Sequence, residues 1–179
     1  MKLNLITLAT VKAQLGLTAI TTYDTQITAM IPIVSNDVRR ILNCNYDYHV
    51  IATITSGSAE VTMKSGFAMG QVVSSSSIPD DTYLTNYDYE TGVYTLSANA
   101  TASDTYLYPT IGIGMFPPIS KMIFYKIGKA VTGSATSQKL KSISYGNVSK
   151  SFAESEINKK FDYPQIYINE LGTSFQKVG

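Results

Sequence analysis

The sequence contains one cysteine, one histidine and no tryptophan. A single cysteine excludes a disulfide within the chain and any cysteine-rich metal cluster. One cysteine and one histidine are too few ligands for a zinc site built by one chain. Charge is sparse, with 14 basic and 13 acidic residues among 179. No apolar run approaches the roughly 20 residues that span a bilayer, so no membrane contact is expected. Asn4 and Lys12 interrupt the opening MKLNLITLATVKAQLG, which offers no small-residue cleavage site. No signal peptide is expected there. What is present is enough to fold: 44% of residues are hydrophobic, an ordinary share for a globular core. The length fits one domain, or one domain with an insertion.

The charges are unevenly placed. Between His49 and Met115 one base (Lys64) stands against six acids (Glu60, Asp80, Asp81, Asp88, Glu90, Asp104), a net −5. The rest of the chain has 13 bases and 7 acids, a net +6. An acidic middle between basic flanks points to two units facing different surroundings.

The local patterns divide at the same places. Thr7 before LATVKAQL and Gly16 after it read as a capped short helix with Leu8, Val11 and Leu15 on its apolar side. A second helix starts at Asp24 and carries Ile27, Met30, Ile31, Val34, Val38, Ile41 and Leu42 on one face. Pro32 inside it predicts a kink between Thr28 and Pro32, and Arg39 and Arg40 suit its C-terminal end. From Tyr48 the period changes. VIATIT, AEVTMK, GQVVSS, DTYLTNY, GVYTLS and TYLYPTIGI are short β-branched and aromatic runs, with turns at TSGSA and YETG. They predict an antiparallel sandwich or barrel. The repeated DTYL, at 81–84 and 104–107, reads as two equivalent strand starts. Pro117 and Pro118 open a third helix with Ile119, Met122, Ile123, Ile127 and Ala130 on one side. KLKSISYGNVSKSF predicts a β-hairpin or long loop around Tyr145-Gly146-Asn147. Asp162-Tyr163-Pro164 leads into a last helix, QIYINEL, ended by Gly172 and followed by a flexible tail.

The expected fold is therefore α+β. A small helical bundle of about four helices with a late hairpin (about 138–152) is interrupted by an inserted antiparallel β-domain. The boundaries are 1–48 for the first part of the helical core, 49–115 for the insertion and 116–179 for the second part. At about 65 residues the insertion is large enough to fold with modest stability of its own.

Few residues suggest catalysis. Nucleophilic chemistry needs a Ser or Cys beside a base, and His49, at a helix-to-strand boundary, reads as a boundary residue. Cys44 reads as a packed thiol. Asp80-Asp81 and Asp88-x-Glu90 lack the regular oxygen spacing of a calcium loop and read as turn residues. GIGMF at 112–116 lacks the lysine and spacing of a phosphate loop. Asn99-Ala-Thr101 and Asn147-Val-Ser149 are formal glycosylation sequons. Lys139, Lys141 and Lys150 flank the Tyr145-Gly146 turn, where they suit either a solvated hairpin or phosphate contacts. Six of the 13 tyrosines lie between Tyr83 and Tyr108, a density that serves sheet packing or a binding face equally well.

Three stretches carry a resemblance. LITLATVKAQLGL at 5–17, followed by a helix opening on Asp24-Thr-Gln-Ile27 and running to Val38-Arg39-Arg40-Ile41, is the first. KSISYGNVSKSF at 141–152 and the closing YPQIYINEL are the second and third. In order and spacing they resemble the head–tail connector (adaptor) family of long-tailed bacteriophages, including its late S-x-S-x-G-x-x-S loop, over roughly 110 residues. The insertion resembles a β-module of phage structural proteins: a glycine-led strand, then IP-x-x-T, then TG-x-x-x-LS-x-x-AT, here within 68–103. The shortest connectors run directly from the second helix to the third, so the insertion is a departure from their pattern.

The resemblance implies a non-enzymatic virion protein without cofactor or metal, assembled in the host cytoplasm and located at the neck. It implies a ring of about twelve copies beneath the portal, closed by head-to-tail contacts between neighbours. Packaged DNA would pass through it with non-specific contacts. Phe161, Tyr163, Phe175 and Lys177 are the expected portal-docking residues. Lys139, Lys141, Tyr145 and Lys150 are expected at the DNA channel or the next ring. Two alternatives stay open: a stopper or tail-completion protein, and a binding module whose Tyr-rich insertion grips a glycan or another capsid protein.

Overall fold

The computed structural model describes residues 4–44, 48–64, 67–131, 142–145, 148–151, 157–158 and 160–176. The architecture is mixed α+β, with four helices and a nearly closed six-stranded antiparallel barrel.

The first helix, α1 (Leu8–Leu15), begins and ends as its sequence dictates. The Thr7 hydroxyl accepts from the Thr10 N–H, and Gly16 takes the left-handed conformation (φ 69°). Helix α2 (Asp24–Leu42) runs through Pro32 without a break in its helical span. Pro32 and Ile33 lie on its exposed side, whereas Ile27, Ile31, Val34 and Val38 are buried. Asn43 closes the helix in the left-handed region (φ 51°). The Lys12 ammonium meets the Asp24 carboxylate at 2.8 Å, tying α1 to α2, and the Leu5 N–H, ahead of α1, donates to the Ser35 hydroxyl of α2.

Six strands follow: β1 (Val50–Ile54), β2 (Glu60–Met63), β3 (Gln71–Ser74), β4 (Leu84–Asp88), β5 (Val93–Leu96) and β6 (Asp104–Gly112). Their order is β3-β6-β1-β2-β5-β4. A bridge from Val72 to Tyr83 and the Val73 N–H donating to the Thr82 carbonyl bring the two edges together. Burial alternates along β1, β2 and β5, and Ala52, Ile54, Val61, Met63, Leu84, Tyr94, Leu96 and Leu107 fill the barrel core.

Strand β6 continues through a 3-10 turn (Ile113–Met115) into α3 (Phe116–Val131). Helix α3 is the centre of the second core. Ile119, Met122, Ile123 and Ile127 are buried as their spacing predicts, and Ser120 and Tyr125 are buried as well. Helices α1, α2 and α4 (Gln165–Gln176) all pack on α3. Val72 and Ile111 from the barrel also enter this core.

The remaining strands are short. β7 (Ser142–Tyr145) and β8 (Val148–Ser151) form the expected hairpin, with Tyr145 opposite Val148. β9 (Ile157–Asn158) pairs with β10 (Tyr163–Pro164), a pair that sequence periodicity did not reveal.

One boundary needs correction. Gly172 does not end the last helix: α4 continues to Gln176, so 173–176 are helical rather than a flexible tail. Gly172 is not among the positive-φ glycines, so nothing there forces a stop, and Leu171 is anchored in the core. A Cβ at Gly172 would meet no atom within 4 Å. Gly172→Ala is therefore expected to raise stability by about 0.5–1 kcal/mol. Thermal denaturation checks this, and a lowered melting temperature would contradict the open helical site.

Candidate functional site

The helical core and the barrel meet along one seam. A cleft of about 410 Å³ lies there, between the start of α1, the first turns of α2 and strand β3. Its apolar wall includes Leu5, Ile6, Ile31 and Val72, and its polar wall includes Asn4, Thr28, Asp80, Asp81 and Thr110. Asp81 sits in the left-handed region (φ 58°), which turns its carboxylate toward α1. There it accepts hydrogen bonds from the Thr7 and Thr10 hydroxyls. Negative charge at a helix N-terminus is favourable, so Asp81 joins the barrel to the first helix. Sequence reasoning treated Asp80-Asp81 as solvated turn residues. The missed signal was the pair of threonines, at 7 and 10, that faces Asp81.

Two further acids of the barrel, Asp104 and Asp88, are also engaged. Asp104 accepts from the Ser75 hydroxyl at 2.5 Å, from Ser77 at 3.3 Å and from the Thr105 N–H at 2.7 Å. The Ser75 hydroxyl, then the Thr105 N–H, hold its carboxyl below the usual carboxylate range. Asp88 accepts from the Thr91 hydroxyl and from the Glu90 and Thr91 N–H groups, and these bonds, the hydroxyl first, lower its pKa too. Both carboxylates order turns. Among the described residues no group of three His, Cys, Asp or Glu side chains is arranged to hold a metal ion. No helix among them is long and apolar enough to cross a membrane.

A second constellation lies at the far end of α3. The Tyr163 hydroxyl donates to the Asp37 carboxylate at 2.6 Å. Lys126 stands 4.5 Å over the Tyr163 ring and 3.9 Å from Asp37. Arg40 approaches Asp37 at 3.7 Å, and Asp162 approaches Lys126 at 4.0 Å. Burial first, then the Asp37 bond and charge, push the Tyr163 phenol far above its ordinary pKa. This cluster ties α2, α3 and the β9–β10 turn together.

The expected docking residues fall in different places. Tyr163 is a fully buried core residue, which removes it from any exposed docking face. Phe161 is half-buried against the same core. Phe175 lies in the last turn of α4, and Lys177 lies outside the described residues. Tyr145 lies in β7 and Lys150 in the facing strand β8. Lys139 and Lys141 lie outside the described residues. Cys44 is half-buried beside the helical core. His49 is exposed, with its ring 5.0 Å from Tyr106 and 5.7 Å from Tyr108.

That contact belongs to a surface feature the sequence did not announce. Ile51 on β1 is paired with Tyr106 on β6, and the two are 73% and 47% exposed. With His49 and Tyr108 they form an aromatic and aliphatic strip on the outside of the barrel. Comparison with protein-family models, with curated proteins and with solved structures finds no match to this chain.

Proposed function

We propose that the chain is a structural virion protein: a phage head–tail adaptor that forms a ring beneath the portal. In this reading a helical frame is interrupted by an inserted barrel domain. One observation carries the reading. Helices from both sides of the barrel, α1 and α2 before it and α3 and α4 after it, share one core, while residues 52–107 of the barrel build another. That is the order of elements the resemblance requires, with the frame residues at the ends of the chain and the extra module between them.

The frame is basic and the barrel acidic, which suits a frame nearest packaged DNA and a barrel turned away from it. The late hairpin includes Tyr145 and Lys150, a composition suited to a neighbouring protein ring or to phosphates. Portal docking falls to Phe161 and the α4 end with Phe175 and Lys177.

Cryo-electron microscopy of purified virions tests the proposal. The expected result is density for this chain as a ring directly below the portal. Density further down the neck or tail would replace the adaptor with a stopper or tail-completion protein. Absence from particles would overturn a virion role.

A further inference from the structure

We propose that the cleft between the helical core and the barrel binds a primary amine with an aliphatic stem. The ammonium is held by Asp80 and Asp81, and the stem lies on the apolar wall. The site stands independently of the adaptor reading.

The cleft has the size and make-up of a small-ligand site. Its volume of about 410 Å³ falls within the roughly 300–1,000 Å³ that such sites occupy. Leu5, Ile6 and Ile31 line it from the helical side, and Val72 and Val73 from the barrel. All five are buried. Val72 belongs to the helical core and Val73 to the barrel core, so the wall is anchored in both. A wall fixed in advance spares a ligand the cost of ordering it.

The charged groups at the cleft are of one sign. Asp80 and Asp81 line it, and no Lys, Arg or His does. The Thr7 and Thr10 hydroxyls both donate to Oδ2 of Asp81. They hold that carboxylate in place and leave its Oδ1 without a hydrogen bond among the described residues. Asp80 is exposed, and among the described residues it has no hydrogen-bond or ion-pair partner.

Other ligand classes fit this lining less well. An anion would meet two carboxylates and no base. The start of α1, where anions are otherwise favoured, already holds Asp81. A neutral apolar molecule would cover the wall but draw water from the carboxylates with nothing in return. Calcium or magnesium needs about six or more oxygen ligands, and among the described residues no group of three His, Cys, Asp or Glu side chains is arranged to hold a metal ion. A primary amine satisfies both halves of the site. Its ammonium has three donors for the open carboxylate oxygens, and its methylenes remove apolar wall from water. Such an amine is either a free alkylamine or a lysine side chain of another protein, and the recognition is the same.

Amide-resolved NMR of the full chain tests this with n-hexylammonium, n-butylammonium, hexanoate and hexanol. Hexylammonium should shift the amides of Leu5, Thr7, Val73 and Asp81 saturably. Its dissociation constant should lie in the millimolar range, the scale for so few atoms. Butylammonium should bind about threefold more weakly for each methylene it lacks. Hexanoate should bind at least about tenfold more weakly than hexylammonium, because it exchanges attraction for repulsion. Asp80→Asn should weaken hexylammonium binding about two- to fivefold, as loss of an exposed ion pair does. Glu90→Gln, an exposed acid in the β4–β5 turn, should not. Thr28→Phe should abolish binding by filling the cleft, with amide shifts elsewhere unchanged.

Equal binding of hexanoate or hexanol would overturn the proposal. So would shifts scattered outside the cleft, or an Asp80→Asn response no larger than that of Glu90→Gln. Nα-acetyl-lysine methylamide separates the two sources. Binding equal to that of butylammonium assigns the cleft to lysine side chains, and binding of the free amines alone assigns it to small molecules.

Discussion

Tyr163→Phe is expected to lower unfolding free energy by about 1.5–2 kcal/mol, and Tyr163→Ala by about 3–5 kcal/mol. The two substitutions remove different things. The Phe variant keeps the ring, which is fully buried beside Tyr125, and deletes only the hydroxyl that donates to Asp37 at 2.6 Å. A hydrogen bond to a charged acceptor contributes about 1.5–3 kcal/mol. The lower end applies because Lys126 and Arg40 still approach the Asp37 carboxylate. The Ala variant also empties the ring's volume, which the surrounding helices cannot fully refill. Asp37→Asn should cost about 1 kcal/mol or less. It retains a neutral acceptor for the hydroxyl, and loses the charge assistance of that bond and contacts of 3.7–3.9 Å to partly exposed cations. Urea denaturation measures all three. A Phe variant as stable as the parent would show that the hydroxyl bond contributes nothing. Hydrogen exchange adds a local readout, because the cluster holds the β9–β10 turn on α2 and α3. Amides between 157 and 171 should exchange faster in both Tyr163 variants.

The regular elements were legible because they obey local rules. The Thr7 hydroxyl caps the start of α1, and Gly16, which lacks a Cβ, takes the left-handed conformation that closes its end. Six short β-branched and aromatic runs between turn residues became six strands, since strand composition and turn chemistry are local. The glycine-led strand, the IP-x-x-T stretch and the closing AT each have a local role in the barrel. Gly70 takes φ 81° ahead of β3, the Thr82 hydroxyl donates to the Pro79 carbonyl, and Thr101 donates twice to the Ser77 carbonyl. The DTYL repeat was half legible. Leu84 and Leu107 both fill the barrel core, yet Asp81 reaches across to α1 while Asp104 stays within the barrel. Such pairings are set by tertiary contact across many residues, which a local pattern does not encode. The same limit hid the burial of Tyr163, whose partner Asp37 is 126 residues away in sequence. It also hid the Ile51–Tyr106 strip, because a strand's inner face is written in its alternation while the use of its outer face is not.

Alkali should unfold the protein in a steep step beginning just above pH 10, for a reason confined to the helical core. Burial, and secondarily the Asp162 charge, push the Tyr125 phenol up to about 12. Burial, then Glu170 and Tyr125, push Tyr167 up to about 12, and Tyr163 is raised further in the same direction. An unfolded tyrosine loses its proton near pH 10. Below that pH both states keep their protons, and the contribution of these residues to stability is complete. Between about 10 and 12 the unfolded chain binds fewer protons than the folded one, so stability falls as pH rises. Tyr125 and Tyr167 each forfeit on the order of 2–3 kcal/mol across that window. The sum is comparable with the whole stability of a small domain. Phenolate absorbance and far-ultraviolet circular dichroism, followed together, test this. Part of the phenolate signal from the 13 tyrosines should appear only as the helical signal is lost, and Tyr167→Phe should move that step to higher pH. A phenolate titration that runs to completion while the helices stay intact would mean the three core phenols ionise in place. The packing of α3 against α4 and the β9–β10 turn would then be looser than their burial implies.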